Sequence, residues 1–193
     1  MAGIIITIGG LPGSGKSTLG KLLAARLGVP FYSMGRVWRE YASEHGIGFE
    51  ELHFQAETDP RIDERIDRYQ QELPRQHPSF VIDSRLGHHF IPQAIKIFLK
   101  ADLRTCAERI LHADRAEQRP QTIEESLATL RHVIDSNRKR YLVLYGTDML
   151  DEAQYDLVLD SERTDPFALL AQVLAELRRR GIPLPDTAAS KAI

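Results

Sequence analysis

The sequence predicts an α/β fold with a five-stranded parallel sheet flanked by helices. Short β-branched apolar runs recur along the chain, stretches of helical spacing separate them, and the first run enters a glycine-rich turn. That first run, Ile4-Ile5-Ile6-Thr7-Ile8, is far too short to span a bilayer and reads as a buried strand. A helix is predicted from about Lys16 to Leu27, with Gly28 as its stop, and a weaker strand at residues 29–32. Between Gly35 and Leu73 there is no strand-like run, only amphipathic stretches punctuated by Gly46, Gly48 and Asp59-Pro60, so residues 35–74 form a helical insertion. Runs at 79–82 and 94–99 supply strands three and four. Helices over 103–111 and 123–140 are joined by a polar, Arg-containing, Pro-terminated segment, about 112–122, that suits a short mobile lid. The run at 156–159 is the fifth strand. Pro166, a good first-turn residue, opens a last helix reaching Arg180, and the tail from 182 to 193 is expected to be flexible. Residues 1–181 thus make a single domain.

Composition narrows the function classes. The net charge of −2 and pI near 6.4 give no global attraction to nucleic acid polymers or anionic membranes. Nineteen of the 25 basic residues are Arg, whose planar fork suits phosphate oxygens, and many lie between Arg61 and Arg140. Cys106 is the sole cysteine, which excludes an intramolecular disulfide and fits a reducing cytoplasm. The expected partners are small molecules, and a monomer is the default.

The turn after the first strand reads Gly10-Leu11-Pro12-Gly13-Ser14-Gly15-Lys16-Ser17, followed by Thr18. In this pattern consecutive backbone N–H groups point into one concavity, and the following helix aims its positive end at the phosphates held there. Lys16 would reach the β- and γ-phosphates of ATP, and the Ser17 hydroxyl would ligate Mg²⁺. The fold is therefore expected to be of the P-loop NTPase kind, with ATP and Mg²⁺ as its cofactors. The third strand ends Ile82-Asp83-Ser84-Arg85, delivering Asp83 to the carboxyl edge of the sheet beside this loop. Asp83 would act on Mg²⁺ through water or orient the acceptor; a turn-forming Asp is the plainer alternative.

Further segments, at Ser33–Arg39, at Asp59–Gln70, around Arg85, at Arg131, Asp135 and Arg138, and from Arg140 to Val158, together resemble the nucleoside monophosphate kinases, and within them the short, archaeal-type cytidylate kinases, over about residues 4–170. Ser33-Met34-Gly35-Arg36-Val37-Trp38-Arg39 is similar to the element opening that family's monophosphate-binding helices, which implies that Ser33 and Arg39 hold the acceptor. The helix from Asp59 to Gln70 resembles another family element, with Arg65 and Arg68 as phosphate-binding candidates. Arg85 matches the position that contacts the acceptor phosphate. Arg131, Asp135 and Arg138, at i, i+4 and i+7, resemble the lid-helix triad, in which the arginines clamp phosphates and Asp135 helps bind the acceptor. The run Arg140-Tyr141, Tyr145-Gly146-Thr147-Asp148 and Tyr155-Asp156-Leu157-Val158 supports kinship more than chemistry.

The resemblance implies ATP-dependent phosphoryl transfer to CMP or dCMP, with Lys16, Arg131, Arg138 and Asp83 catalytic and lid closure adding Arg115 or Arg119. Three features depart from the pattern. Ser84 replaces Gly and would crowd the end of strand three, Tyr69 stands where a second Arg is frequent, and His88-His89 could contribute to a metal site only with further ligands. A kinase for another nucleotide, a nucleoside or shikimate would share the donor site, and a nucleotide-binding regulatory module is the reading from a different class.

Overall fold

The structure is a computed structural model that describes residues 3–113 and 122–185. Five parallel strands, β1 (Ile5–Gly10), β2 (Phe31–Ser33), β3 (Phe80–Asp83), β4 (Ile95–Lys100) and β5 (Leu157–Asp160), lie in the order β2-β3-β1-β4-β5. All five expected strands are present, displaced by one or two residues. The central strands read as continuous apolar runs because both faces of the sheet are covered: Ile6, Ile8, Val81 and Ile97 are fully buried.

On one face α1 (Lys16–Leu27) and α8 (Pro166–Arg179) pack through Leu19, Leu23, Leu169, Val173 and Leu177. The insertion after β2 consists of three helices, α2 (Met34–Glu44), α3 (Phe49–Ala56) and α4 (Pro60–Gln76), and its apolar side joins Phe80 and Ile82 of β3. Asp59 caps α4 by accepting from the Arg61 backbone N–H, and Pro60 occupies the first turn. A four-residue helix, α5 (Gly87–Phe90), follows β3. Beyond β4, α6 (Leu103–His112) and α7 (Ile123–Tyr145) pack on each other around Cys106, Leu130 and Ile134.

Two differences from expectation have clear causes. Helix α7 runs to Tyr145 rather than Arg140, because no breaker intervenes before Gly146, whose φ of +64° provides the left-handed C-cap. In the tail, Ile182 and Leu184 pack against the main core and Arg26 donates to the Pro185 carbonyl at 2.8 Å, so residues 182–185 are held. Most of the expected lid, with Arg115 and Arg119, lies outside the described residues. Among the described residues no helix is long and apolar enough to cross a membrane.

Candidate active site

The carboxyl edge of the sheet opens into a cleft of about 1260 Å³. This exceeds the roughly 300–1,000 Å³ usual for one small-molecule ligand. Its floor is the phosphate loop, from which Pro12, Gly13, Ser14, Gly15, Lys16, Ser17 and Thr18 all line the cleft. Backbone conformation dictates the glycines here. Gly13 has φ +85° and a Cβ on it would lie 2.4 Å from the Cys106 carbonyl oxygen; Gly15 has φ +93° as the N-cap of α1. Gly10 is not itself in the wall: it ends β1, and its carbonyl accepts from Lys16 Nζ at 2.9 Å. Lys16 Nζ also donates to the Leu11 carbonyl at 2.6 Å, which holds the ammonium over the loop. Behind the loop, Ser161 Oγ donates to the Ser14 carbonyl at 2.8 Å and bonds Lys100 O at 3.1 Å, tying the loop to the end of β4.

Asp83 sits at the centre. Strand β3 lies beside β1 in register Ile8 to Asp83, so the carboxylate emerges next to the phosphate loop. It is buried and accepts from the hydroxyls of both Ser17 and Ser33, the latter at 3.1 Å. One carboxylate thus links the first helical turn after the loop with the last residue of β2, where the insertion begins to leave the sheet. Arg39 and Arg85 line the same cleft. Among the described residues the Arg85 guanidinium makes no hydrogen bond or ion pair, although Asp63 lies near enough for its carboxyl to feel the charge. Arg109, which the sequence reading missed, is a further cation in the wall and donates to the Ser161 carbonyl at 2.7 Å.

Other expected residues are not brought together. Arg65 and Arg68 are exposed on the outer face of α4, Arg65 over the Tyr41 ring at 5.3 Å. The apolar stripe Ile62, Ile66 and Leu73 fixes which face turns in, and it carries Asp63, Asp67 and Gln70 inward instead. On α7, Arg131, Asp135 and Arg138 share an exposed face, and Arg138 pairs with Asp148, at 3.1 Å to Oδ1. The cleft is lined instead by Ser126, Thr129, Leu130 and Val133 of this helix.

The inward arginine of α7 is Arg140. Its Nε donates to Asp63 at 2.9 Å, Nη1 to Ser136 at 2.7 Å and the His53 carbonyl at 3.4 Å, and Nη2 to Asn137 at 2.9 Å and Asp63 at 3.4 Å. Five donor directions meet five acceptors, so this guanidinium clamps α3 and α4 onto α7. Burial pushes the Asp63 carboxyl upward, an effect the guanidinium opposes. His53, stacked on Trp38 at 4.6 Å, is held neutral by burial and by the positive charges of Arg85 and Arg140. The visible signal for Arg140 was its spacing from Val133 and Asn137, again i, i+4 and i+7.

A second buried chain runs from β3 to α7. The Leu86 N–H donates to Ser84 Oγ, which donates to Gln70 at 2.7 Å; Gln70 and Tyr145 both donate to Asp67, at 2.7 and 2.8 Å. The Ser84 hydroxyl is thereby engaged with α4. Burial raises the Asp67 carboxyl to about 7. His88 is buried too, with Nδ1 3.0 Å from the Tyr155 hydroxyl, and desolvation lowers it to about 4. Among the described residues no group of His, Cys, Asp or Glu could hold a metal ion by itself, so the His88-His89 pair is not part of such a cluster. Cys106 is buried and its thiol is raised to about 11 by desolvation, which leaves it inert.

Residues 5–163 match the model of the cytidylate kinase-like family. The chain is 37% identical over 175 residues to the cytidylate kinase of Methanothrix thermoacetophila, covering 91% of this chain and 98% of that protein. It is 36% identical over 193 aligned residues to the cytidylate kinase of Methanopyrus kandleri, with coverage of 93% and 97%. Among solved structures it is similar to a shikimate kinase from Bacteroides thetaiotaomicron, with a TM-score of 0.62 at 19% identity, covering 92% of this chain and 98% of that one. The shikimate kinase of Acinetobacter baumannii in complex with shikimate gives 0.60 at 16%, with coverage of 94% and 96%. At these identities the structural likeness speaks to the fold, that of small P-loop kinases.

Proposed function

Because the chain belongs to the cytidylate kinase-like family, we propose that it is a nucleoside monophosphate kinase that moves the γ-phosphoryl group of ATP to CMP, releasing ADP and CDP. The observation that carries this reading is the single cleft in which the phosphate loop meets Ser33, Arg39 and Arg85, with Asp83 bonded to both halves. Among the described residues four cations line it, Lys16, Arg39, Arg85 and Arg109, against two carboxylates, which suits two phosphorylated ligands brought together.

The chemistry asks for positioning and charge stabilisation. An oxygen of the acceptor phosphate attacks the γ-phosphorus, and the bridging oxygen leaves on ADP; the attacking oxygen is already a nucleophile, so no general base is required. Lys16 and the N–H groups of the loop hold the donor phosphates, while Arg39 and Arg85 hold the acceptor phosphate. The Ser17 hydroxyl and the Asp83 carboxylate, hard oxygen donors that already converge, would hold Mg²⁺, which supplies neutralisation of charge between the phosphates. Arg131 and Arg138 have no part in this proposal, since α7 turns them away from the cleft. The partners are small nucleotides, and the reading places the enzyme in the cytoplasm as a monomer.

A coupled ADP-release assay with ATP and a panel of nucleoside monophosphates, run beside a water-only control, tests the reading. CMP-dependent release well above the control is expected. Release that is independent of every monophosphate would overturn it.

A further inference from the structure

One wall of the cleft is formed by the end of α2, the turn after it and the start of α3. Ala42, Ser43, Ile47, Gly48, Phe49 and Glu50 line it, and among the described residues the nearest cation along the chain is Arg39, one helical turn earlier on α2. A carboxylate facing a phosphate would be repelled, so the part of an acceptor nucleotide that lies on this wall is the part without phosphate, its base. The apolar groups suit the face of a flat ring, and the polar ones suit its edge.

Only two carboxylates among the described residues line the cleft. Asp83 is committed to Ser17 and Ser33. The Glu50 carboxylate makes no hydrogen bond or ion pair with any described residue. Cytosine and uracil differ at two adjacent positions of the ring edge: cytosine carries an exocyclic amino donor and a bare N3 acceptor, where uracil carries a carbonyl acceptor and an N3–H donor. A carboxylate set against the exocyclic position accepts from the amino group and repels the carbonyl, whereas a serine hydroxyl serves either.

We propose that Glu50 reads the exocyclic amino group of the acceptor base and makes CMP the preferred substrate over UMP. This inference rests on the kinase reading above. The plainer role for an acidic residue in the first turn of α3, favourable interaction with the helix dipole, is shared by Glu51 and affects stability alone. Glu51 accepts from Gln55 Nε2 at 3.2 Å and does not line the cleft. It is therefore the matched control.

The test is kcat/KM for CMP and for UMP, with saturating ATP, in the unaltered chain and in Glu50→Gln and Glu51→Gln. The unaltered chain should favour CMP, and Glu50→Gln should lower the CMP-to-UMP ratio about tenfold or more, chiefly through KM, because the amide can donate to the uracil carbonyl. Glu51→Gln should leave the ratio within about twofold. An unchanged ratio in an active Glu50→Gln, an equal shift in Glu51→Gln, or no CMP preference in the unaltered chain would each overturn the inference while leaving the kinase reading intact. If the unaltered chain phosphorylates neither nucleotide, both fall. Should Glu50→Gln fail to fold, Glu50→Asp, which keeps the charge one methylene short, must show a reduced CMP preference for the inference to stand.

Discussion

Lys16 and Arg85 stand in one cleft, yet the reading gives them different ligands, and substitution can separate them. Lys16→Ala removes the ammonium held over the phosphate loop and should lower kcat by about a hundredfold or more, with the melting temperature nearly unchanged. Arg85→Ala should raise KM for the acceptor about tenfold or more and leave KM for ATP within about twofold. Steady-state kinetics with each substrate varied in turn decides this; an Arg85 variant impaired only toward ATP would reverse the assigned orientation of the cleft. At this scale the conformation of the phosphate loop was legible in the sequence, although Gly10 ends β1 outside the cleft wall. The loop's geometry is made by neighbouring residues, and a positive φ at Gly13 and Gly15 is a local requirement. The engagement of Asp83 with Ser33 was not legible, because 50 residues separate them and only the pairing of β2 with β3 brings them together.

Helices α4 and α7 show how an element can be found correctly while its working face is not. On α7 the triplets 131/135/138 and 133/137/140 have identical spacing, and periodicity alone cannot choose between them. Packing of Leu130, Val133, Ile134 and Tyr141 turns the second triplet inward. The energetic contrast between the two arginines follows from their surroundings. Arg140→Met leaves Asp63 buried without its partner and should destabilise the fold by about 3–5 kcal/mol in urea unfolding, with much of the loss recovered in the double variant Arg140→Met/Asp63→Leu. Arg138→Ala breaks a largely solvated pair with Asp148 and should change stability by less than about 1 kcal/mol. Comparable losses from the two single variants would contradict the assignment of Arg140 as the clamp between the insertion and α7.

For the molecule as a whole, two buried titrating groups act on stability in opposite directions. Asp67 is raised from 3.8 to about 7, so its contribution is fully present below about 3.8 and is lost as pH rises through about 7. His88 is lowered from 6.5 to about 4, so its contribution is present above about 6.5 and is lost as pH falls toward 4. Between about pH 4 and 6.5 the two slopes oppose each other. Denaturant unfolding across that window should therefore show stability rising more steeply with pH in Asp67→Asn than in the unaltered chain, and falling more steeply in His88→Gln; the reverse pattern would show that these groups do not titrate as their burial requires. The sequence by itself determined the order of strands and helices, the phosphate loop and the kinship with cytidylate kinases, since each is written in consecutive residues or in short periodic runs. Only the tertiary structure decided which face of each helix meets the cleft, that Arg140 and Asp63 pair within the core, and that Glu50 stands in the wall of the cleft. Those outcomes depend on which apolar stripe packs against which neighbour across tens of residues, and charged residues at equivalent helical spacings look alike until that packing is made.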